Sequence, residues 1–209
     1  MKKVNLILIL FVCLGTISFS QTVTIGNQVW MTKNLDVSKF RNGDPIPEAK
    51  TEEEWRSYSG AREPAWCYYD NDPNNGEKYG KLYNWYAVND ARGLAPAGWH
   101  IPSDDEWTIL TDYLGGENTA GYKMKSKSGW ENNGNGTNSS GFSGLPGGIR
   151  FYDGQFGPFG NIGYHGNWWS STEYDTFYAY YRYLTSHDGN VTKCGGRKWD
   201  GLSVRCLKD

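Results

Sequence analysis

The chain has 209 residues with 21 basic and 23 acidic side chains, a net charge of −2. That length suits one domain with a sizeable core, and the lack of a basic excess argues against nucleic acid or an anionic membrane as partner. Aromatic residues make up 16% of the chain and glycine numbers 27, which implies a loop-rich domain whose core is built from rings.

Residues 1–20 read as a secretory signal peptide. Lys2-Lys3 form a positive start, Leu6 to Leu14 an apolar stretch, and Ser18-Phe19-Ser20 a small-x-small cleavage site before Gln21. The apolar run is short for a bilayer and has no basic stop-transfer flank. Val12 before Cys13 does not suit a lipobox. Cleavage after Ser20 leaves residues 21–209 as a single domain and removes two basic and no acidic side chains. The expected location is secreted, cell-surface or periplasmic, with no membrane insertion after signal removal.

In chain order, Thr22–Ile25 and Val29–Met31 flank a Gly26-Asn27-Gln28 hairpin turn. Pro45 and Pro47 mark a loop, and Thr51 with Glu54 forms a capping box that starts a helix. Asp70 to Gly76 is a dense turn cluster; Tyr79 to Val88 then carries Leu82, Trp85 and Tyr86 at helical spacing. Pro102, Ser103 and Glu106 start a further helix with Trp107, Leu110 and Leu114 on one face, ended by Gly115-Gly116. Ala120 to Ser126 adds a short helix, and Asn132 to Gly148 is a long irregular excursion. Strand-like runs follow at 148–152, 167–172, 177–184, 190–192 and 202–207. Helices first and strands last, without βαβ alternation, predict α+β with an antiparallel sheet.

Three segments then carry a resemblance. Gly98-Trp99-His100-Ile101-Pro102-Ser103-Asp104-Asp105-Glu106-Trp107, the Trp169-Ser170-Ser171 run and Gly201-Leu202-Ser203-Val204-Arg205-Cys206 together resemble the Fibrobacter succinogenes major paralogous domain. Asn34-Leu35-Asp36-Val37 is similar to a further segment of that family. The resemblance implies a C-type-lectin-like fold, similar to that of the sulfatase-modifying factors: short helices on a small twisted antiparallel sheet with long irregular loops. It brings no established activity. Its W/Y-C-Y and V-R-C motifs imply a Cys67–Cys206 disulfide; Cys194–Cys206 is the alternative, and three pairings are open to the three cysteines of the mature chain. Ala95 stands where the resemblance implies another cysteine.

No catalytic constellation and no metal site stand out. Asp70, Asp72 and Asn74 alternate like calcium ligands, but Asn75 and Lys81 occupy the places where an EF-hand loop needs Gly and Glu. A looser Ca2+ site stays open and no other cofactor is expected. The E-P-N, Q-P-D and W-N-D signatures of sugar-binding C-type lectins are missing from the C-terminal half. Cys194 and Cys206 are twelve residues apart, too far in sequence for the modifying factors' copper-binding pair. His100, His165 and His187 lack metal-type spacing.

The run from Tyr178 to Trp199 mixes tyrosine, arginine and small polar residues, as rigid recognition surfaces do. Leu184 sets the inward parity with Tyr178, Tyr180 and Arg182, so Ala179, Tyr181 and Tyr183 are expected outward. The expected reading is a non-enzymatic binding or adhesion domain for an extracellular protein or glycan. Tyr181, Tyr183, His187, Asp188, Arg197 and Trp199 form its expected surface. A modifying-factor-like oxidase and a structural surface component are the alternatives.

Overall fold

The computed structural model describes residues 22–153 and 157–209; the expected signal peptide lies outside the described residues. Strands β1 (Thr22–Ile25) and β2 (Gln28–Met31) form the expected hairpin, with Gly26 at φ +60° in its turn. Helix α1 (Glu52–Gly60) starts at Thr51, where both halves of the capping box are made. Strand β3 (Trp66–Cys67) precedes a 3-10 turn at Tyr69–Asn71 and helix α2 (Pro73–Tyr79), which Asp72 caps and Pro73 opens. Strand β4 (Leu82–Tyr83) and helix α3 (Trp85–Val88) follow.

The expected helix over Tyr79 to Val88 is thus corrected. Gly80 at φ +74° ends α2, Leu82-Tyr83 pairs with β3, and the Asn84 side chain restarts a helix by accepting from the Ala87 N–H. The Asp70 to Gly76 turn cluster likewise becomes the 3-10 turn and the first half of α2.

Strand β5 (Trp99–His100) leads into helix α4 (Asp104–Tyr113), and helix α5 (Ala120–Met124) follows. The excursion after it is internally packed: Phe142 is fully buried, and the Gly136 N–H donates to Ser126 O. Strands β6 (Gly147–Arg150), β7 (Phe159–Ile162), β8 (His165–Glu173), β9 (Tyr178–Thr185), β10 (Thr192–Arg197) and β11 (Leu207–Lys208) complete an α+β fold. The sheets are β1-β2-β11-β5, β10-β9-β8, β3-β4 and β6-β7, all antiparallel.

The segment from Leu202 to Cys206, expected as a strand of one sheet, instead stitches several. Leu202 exchanges hydrogen bonds with Tyr83, Ser203 O accepts from Trp169, Val204 O from Leu35 and Cys206 O from Met31. Residues 201–207 are all buried.

Trp168 and Trp169 show how β8 divides the core, since adjacent strand residues face opposite sides. Trp169 packs with Trp85, Tyr83 and Val204, whereas Trp168 packs with Trp30, Trp107, Phe142 and Leu184. A third cluster gathers Trp55, Cys67, Tyr69 and Leu82. A core of tryptophans also takes in cations by their alkyl stems and ring faces. Lys81 lies 4.4 Å from the Trp66 ring, Arg150 4.8 Å from Trp55, Lys198 4.8 Å from Trp85 and Arg205 4.4 Å from Phe142. All four are buried. Lys81 pairs with Asp36 and Lys198 with Glu173, but no ion pair reaches Arg150 or Arg205 among the described residues.

Candidate functional site

The residues that carry the family resemblance are structural. Ser103 Oγ accepts from the Glu106 N–H, and Glu106 Oε2 accepts from the Ser103 N–H at 2.7 Å, closing the expected capping box. The same Glu106 holds His100 Nε2 at 2.9 Å through its other oxygen, while His100 Nδ1 meets Asp209 at 2.8 Å. Asp104 binds Arg182 Nη1 at 2.5 Å and Lys193 Nζ at 2.6 Å, tying α4 to β9 and β10. Burial alone would raise the Asp104 carboxyl, but those two cations hold it below the ordinary range. Asn34 Oδ1 accepts from Trp168 Nε1 at 2.8 Å and from Arg205 Nη2 at 2.7 Å, so two motifs and the residue just before a third meet at one amide.

The six expected surface residues fall into three places. Tyr181 packs edge-on against Trp169 at 6.0 Å, and burial raises its phenol above the ordinary range. Tyr183 stacks on His165 at 5.9 Å. His187 and Asp188 lie in the β9–β10 connection, where Asp188 Oδ1 accepts from the Asn190 N–H and the Thr185 hydroxyl and so shapes the loop. Arg197 and Trp199 lie at the opposite end of β9. Arg197 bonds Asp153 at 2.7 Å and Asp200 at 3.1 Å, and Trp199 packs on Tyr152 and Phe177. From Tyr178 to Thr185 a strand extends about 23 Å, so these residues do not form one patch.

The expected facing of β9 is reversed at its Tyr178 end. Ala179 is fully buried with Trp169, while Tyr178 is exposed. The cause is coverage: Asp104 of α4 meets this face at Arg182, and Leu184 packs there with Trp107 and Leu110. Tyr178 and Tyr180 extend beyond that contact.

There the structure forms an open depression of about 600 Å³, lined by Tyr174, Asp175, Tyr178, Tyr180, Lys193 and Gly195. The register explains it. Gly195 lies directly across from Tyr180 and Arg197 across from Tyr178, so glycine leaves a gap where a side chain would fill the floor. A Cβ at Gly195 would meet Tyr174 at 3.8 Å, ordinary van der Waals contact. Tyr174 packs edge-on against Tyr180 at 5.1 Å, and Lys193 Nζ lies 4.2 Å from the Tyr180 ring centre. Asp175 Oδ1 accepts from the Phe177 and Tyr178 N–H groups at 2.7 and 2.8 Å, fixing the turn that presents these rings. Tyr174 and Tyr178, on the rim of the hollow, are 58% and 37% exposed, and Phe177 in the turn between them is 50% exposed. None of the six expected residues lines it; Arg197 is across from Tyr178 in the register, and Trp199 lines a separate hollow with Tyr86 and Tyr152. The sequence signal for the depression was the Asp-x-Phe-Tyr turn and the glycine pair opposite a Tyr-x-Tyr run.

A second hollow of about 350 Å³ includes Lys33, Asn34, Glu77 and Ser143. Its Asn34 is committed to the hub with Trp168 and Arg205, so its walls belong to the scaffold.

The expected Cys67–Cys206 disulfide is corrected: all three described cysteines are free thiols. Cys67 and Trp66 face opposite sides of β3, and Cys67 packs with Trp55 and Tyr69, whereas Cys206 packs in the other cluster with Tyr83 and Trp85. Burial pushes both thiols up to about 12, while Cys194 is exposed on β10. Among the described residues, no three His, Cys, Asp or Glu side chains converge as a metal group, and Asp72 of the calcium-like run caps α2. No helix there is long and apolar enough to cross a membrane.

The model of the Fibrobacter succinogenes major domain matches residues 23–208, and the chain belongs to that family. No curated protein matches the chain.

Proposed function

We propose that this is an exported, non-enzymatic recognition domain of C-type-lectin-like architecture. It meets an extracellular ligand, protein or glycan, at the tyrosine depression beside β10. The observation that carries the reading is the exposure of Tyr174 and Tyr178 around a hollow floored by Gly195. Rings with two side-chain torsions give contact area at low entropic cost, and the Asp175 turn presets them. The packing of α4 on a late antiparallel sheet supports the architecture; the charged start and apolar run of residues 1–20 support export.

The test is an array of immobilised peptides and oligosaccharides probed with residues 21–209. Tyr178→Ala and Gly195→Trp should each weaken any captured probe at least about tenfold without moving the melting temperature much. Tyr181→Ala should lower the melting temperature instead, because that ring packs on Trp169. Unchanged binding by both depression variants overturns the reading.

A further inference from the structure

We propose that the free edge of β10 takes an extended segment of a partner polypeptide as a fourth strand. One apolar side chain of that segment seats among Tyr174, Tyr178 and Tyr180. The proposal rests on the reading of the depression as the recognition site and names the class of ligand.

β10 is an outer strand of the β10-β9-β8 sheet. Among the described residues, no backbone hydrogen bond of Thr192–Gly196 goes anywhere except to β9. The Lys198 N–H donates to Phe177 O at 3.0 Å, and the β9–β10 register runs on without a shift. Antiparallel alternation therefore turns the N–H groups of Gly196, Cys194 and Thr192 toward β9. Lys193, Gly195 and Arg197 aim their N–H and C=O groups away from the sheet, about 7 Å apart; the Arg197 C=O accepts from the Asp200 N–H at 2.9 Å, and the Cys194 thiol reaches the Gly195 C=O at 3.9 Å. Edge strands are normally guarded by proline, a bulge or an outstretched lysine. Here there is no proline, and the Lys193 ammonium turns back onto Asp104 and the Tyr180 ring.

The cations at the hollow are already held in ion pairs while the strand edge beside them is not, a contrast that favours a peptide over a sugar. Asp175 Oδ1 caps its own turn, Lys193 is bound to Asp104, and Arg197 to Asp153 and Asp200. What remains open is the backbone edge at Lys193 and Gly195 and the N–H of Arg197, the pattern a peptide strand complements. The charges add direction. Arg182 and Lys193 share the single Asp104 carboxylate, leaving one positive charge in excess at that end. At the other end no ion pair reaches Asp175 among the described residues, and its side chain is exposed. The complementary strand is acidic beside Lys193, apolar at the tyrosines and basic beside Asp175.

The test uses synthetic peptides of about nine residues, alternating valine or tyrosine with threonine, with acid and base at opposite ends in both orders. Each is also made with backbone N-methyl groups at odd or at even positions. One charge order should bind at least about tenfold tighter than the other, and N-methylation of one parity alone should abolish binding. Gly195→Pro should abolish it too while leaving the melting temperature unchanged, since proline is tolerated where an edge N–H faces solvent. Equal loss from both N-methyl series overturns the strand. Capture of oligosaccharides without peptides overturns it as well but keeps the depression as recognition site; no capture of either overturns both readings. A concentration-dependent dimer abolished by Gly195→Pro assigns the edge to a second copy of this chain and refutes the proposal.

Discussion

Replacing Arg205 with methionine tests the idea that the tryptophan core is organised around buried cations. The guanidinium is fully buried, and burial pulls its pKa down to about 9, so it stays protonated at neutral pH. It donates to Met31 O at 3.0 Å, to Phe142 O at 2.6 Å and to Asn34 Oδ1 through Nε and Nη2. Methionine keeps much of the volume and recovers part of the hydrophobic term. It leaves two buried carbonyls without a donor, each costing about 1–3 kcal/mol, and strips the Asn34 amide of its charged partner. The sum is about 3–5 kcal/mol, a large share of the stability of a typical domain. Urea unfolding should show that loss with an unchanged denaturant slope, and the melting temperature should fall by roughly 6–20 °C. Asn34→Ala should cost less alone, and the double variant should fall short of additivity by about 1 kcal/mol or more. If Arg205→Met unfolds within about 1 kcal/mol of the wild type, the arginine is a tolerated passenger and the argument fails.

His100 predicts a pH dependence. Burial alone would lower its pKa, but the hydrogen bonds to Asp209 and Glu106 raise it above the ordinary value. The clamp is therefore fully present below about pH 6.5 and lost as pH rises through the folded value. His100→Gln should flatten the melting temperature between pH 5 and 8 (about the range histidine titrates); a wild-type profile that rises over that range refutes it. Thiol titration should find Cys194 alone reactive in the native protein and three thiols after unfolding residues 21–209, because Cys67 and Cys206 are buried. A single thiol in denaturant would restore the bridge between the other two.

Much of this frame was legible because local chemistry and tertiary packing agree there. The capping boxes at Thr51 and Ser103 and the Gly26 turn are short-range signals that the fold respects. Two-residue strands such as Trp66–Cys67 have no period to read, and the helical spacing of Leu82, Trp85 and Tyr86 arose across a strand and a separate helix. The site was half legible. The late hairpin and its tyrosines stand out by composition, but which face is bare depends on where α4 ends over β9, a tertiary fact that alternation cannot carry. The cysteine pairing failed because partner choice depends on which cluster each residue faces.

The stitching by residues 202–206 also orders events in time. The bond from Arg205 to Met31 spans 174 positions. Closing a loop of that size costs roughly 4–5 kcal/mol of chain entropy before any contact returns it. Meanwhile the β9–β10 hairpin can form within microseconds from neighbours in sequence. Folding should therefore be slow and end with the closing of the long-range hub, long after the hairpin that presents the tyrosines has found its register.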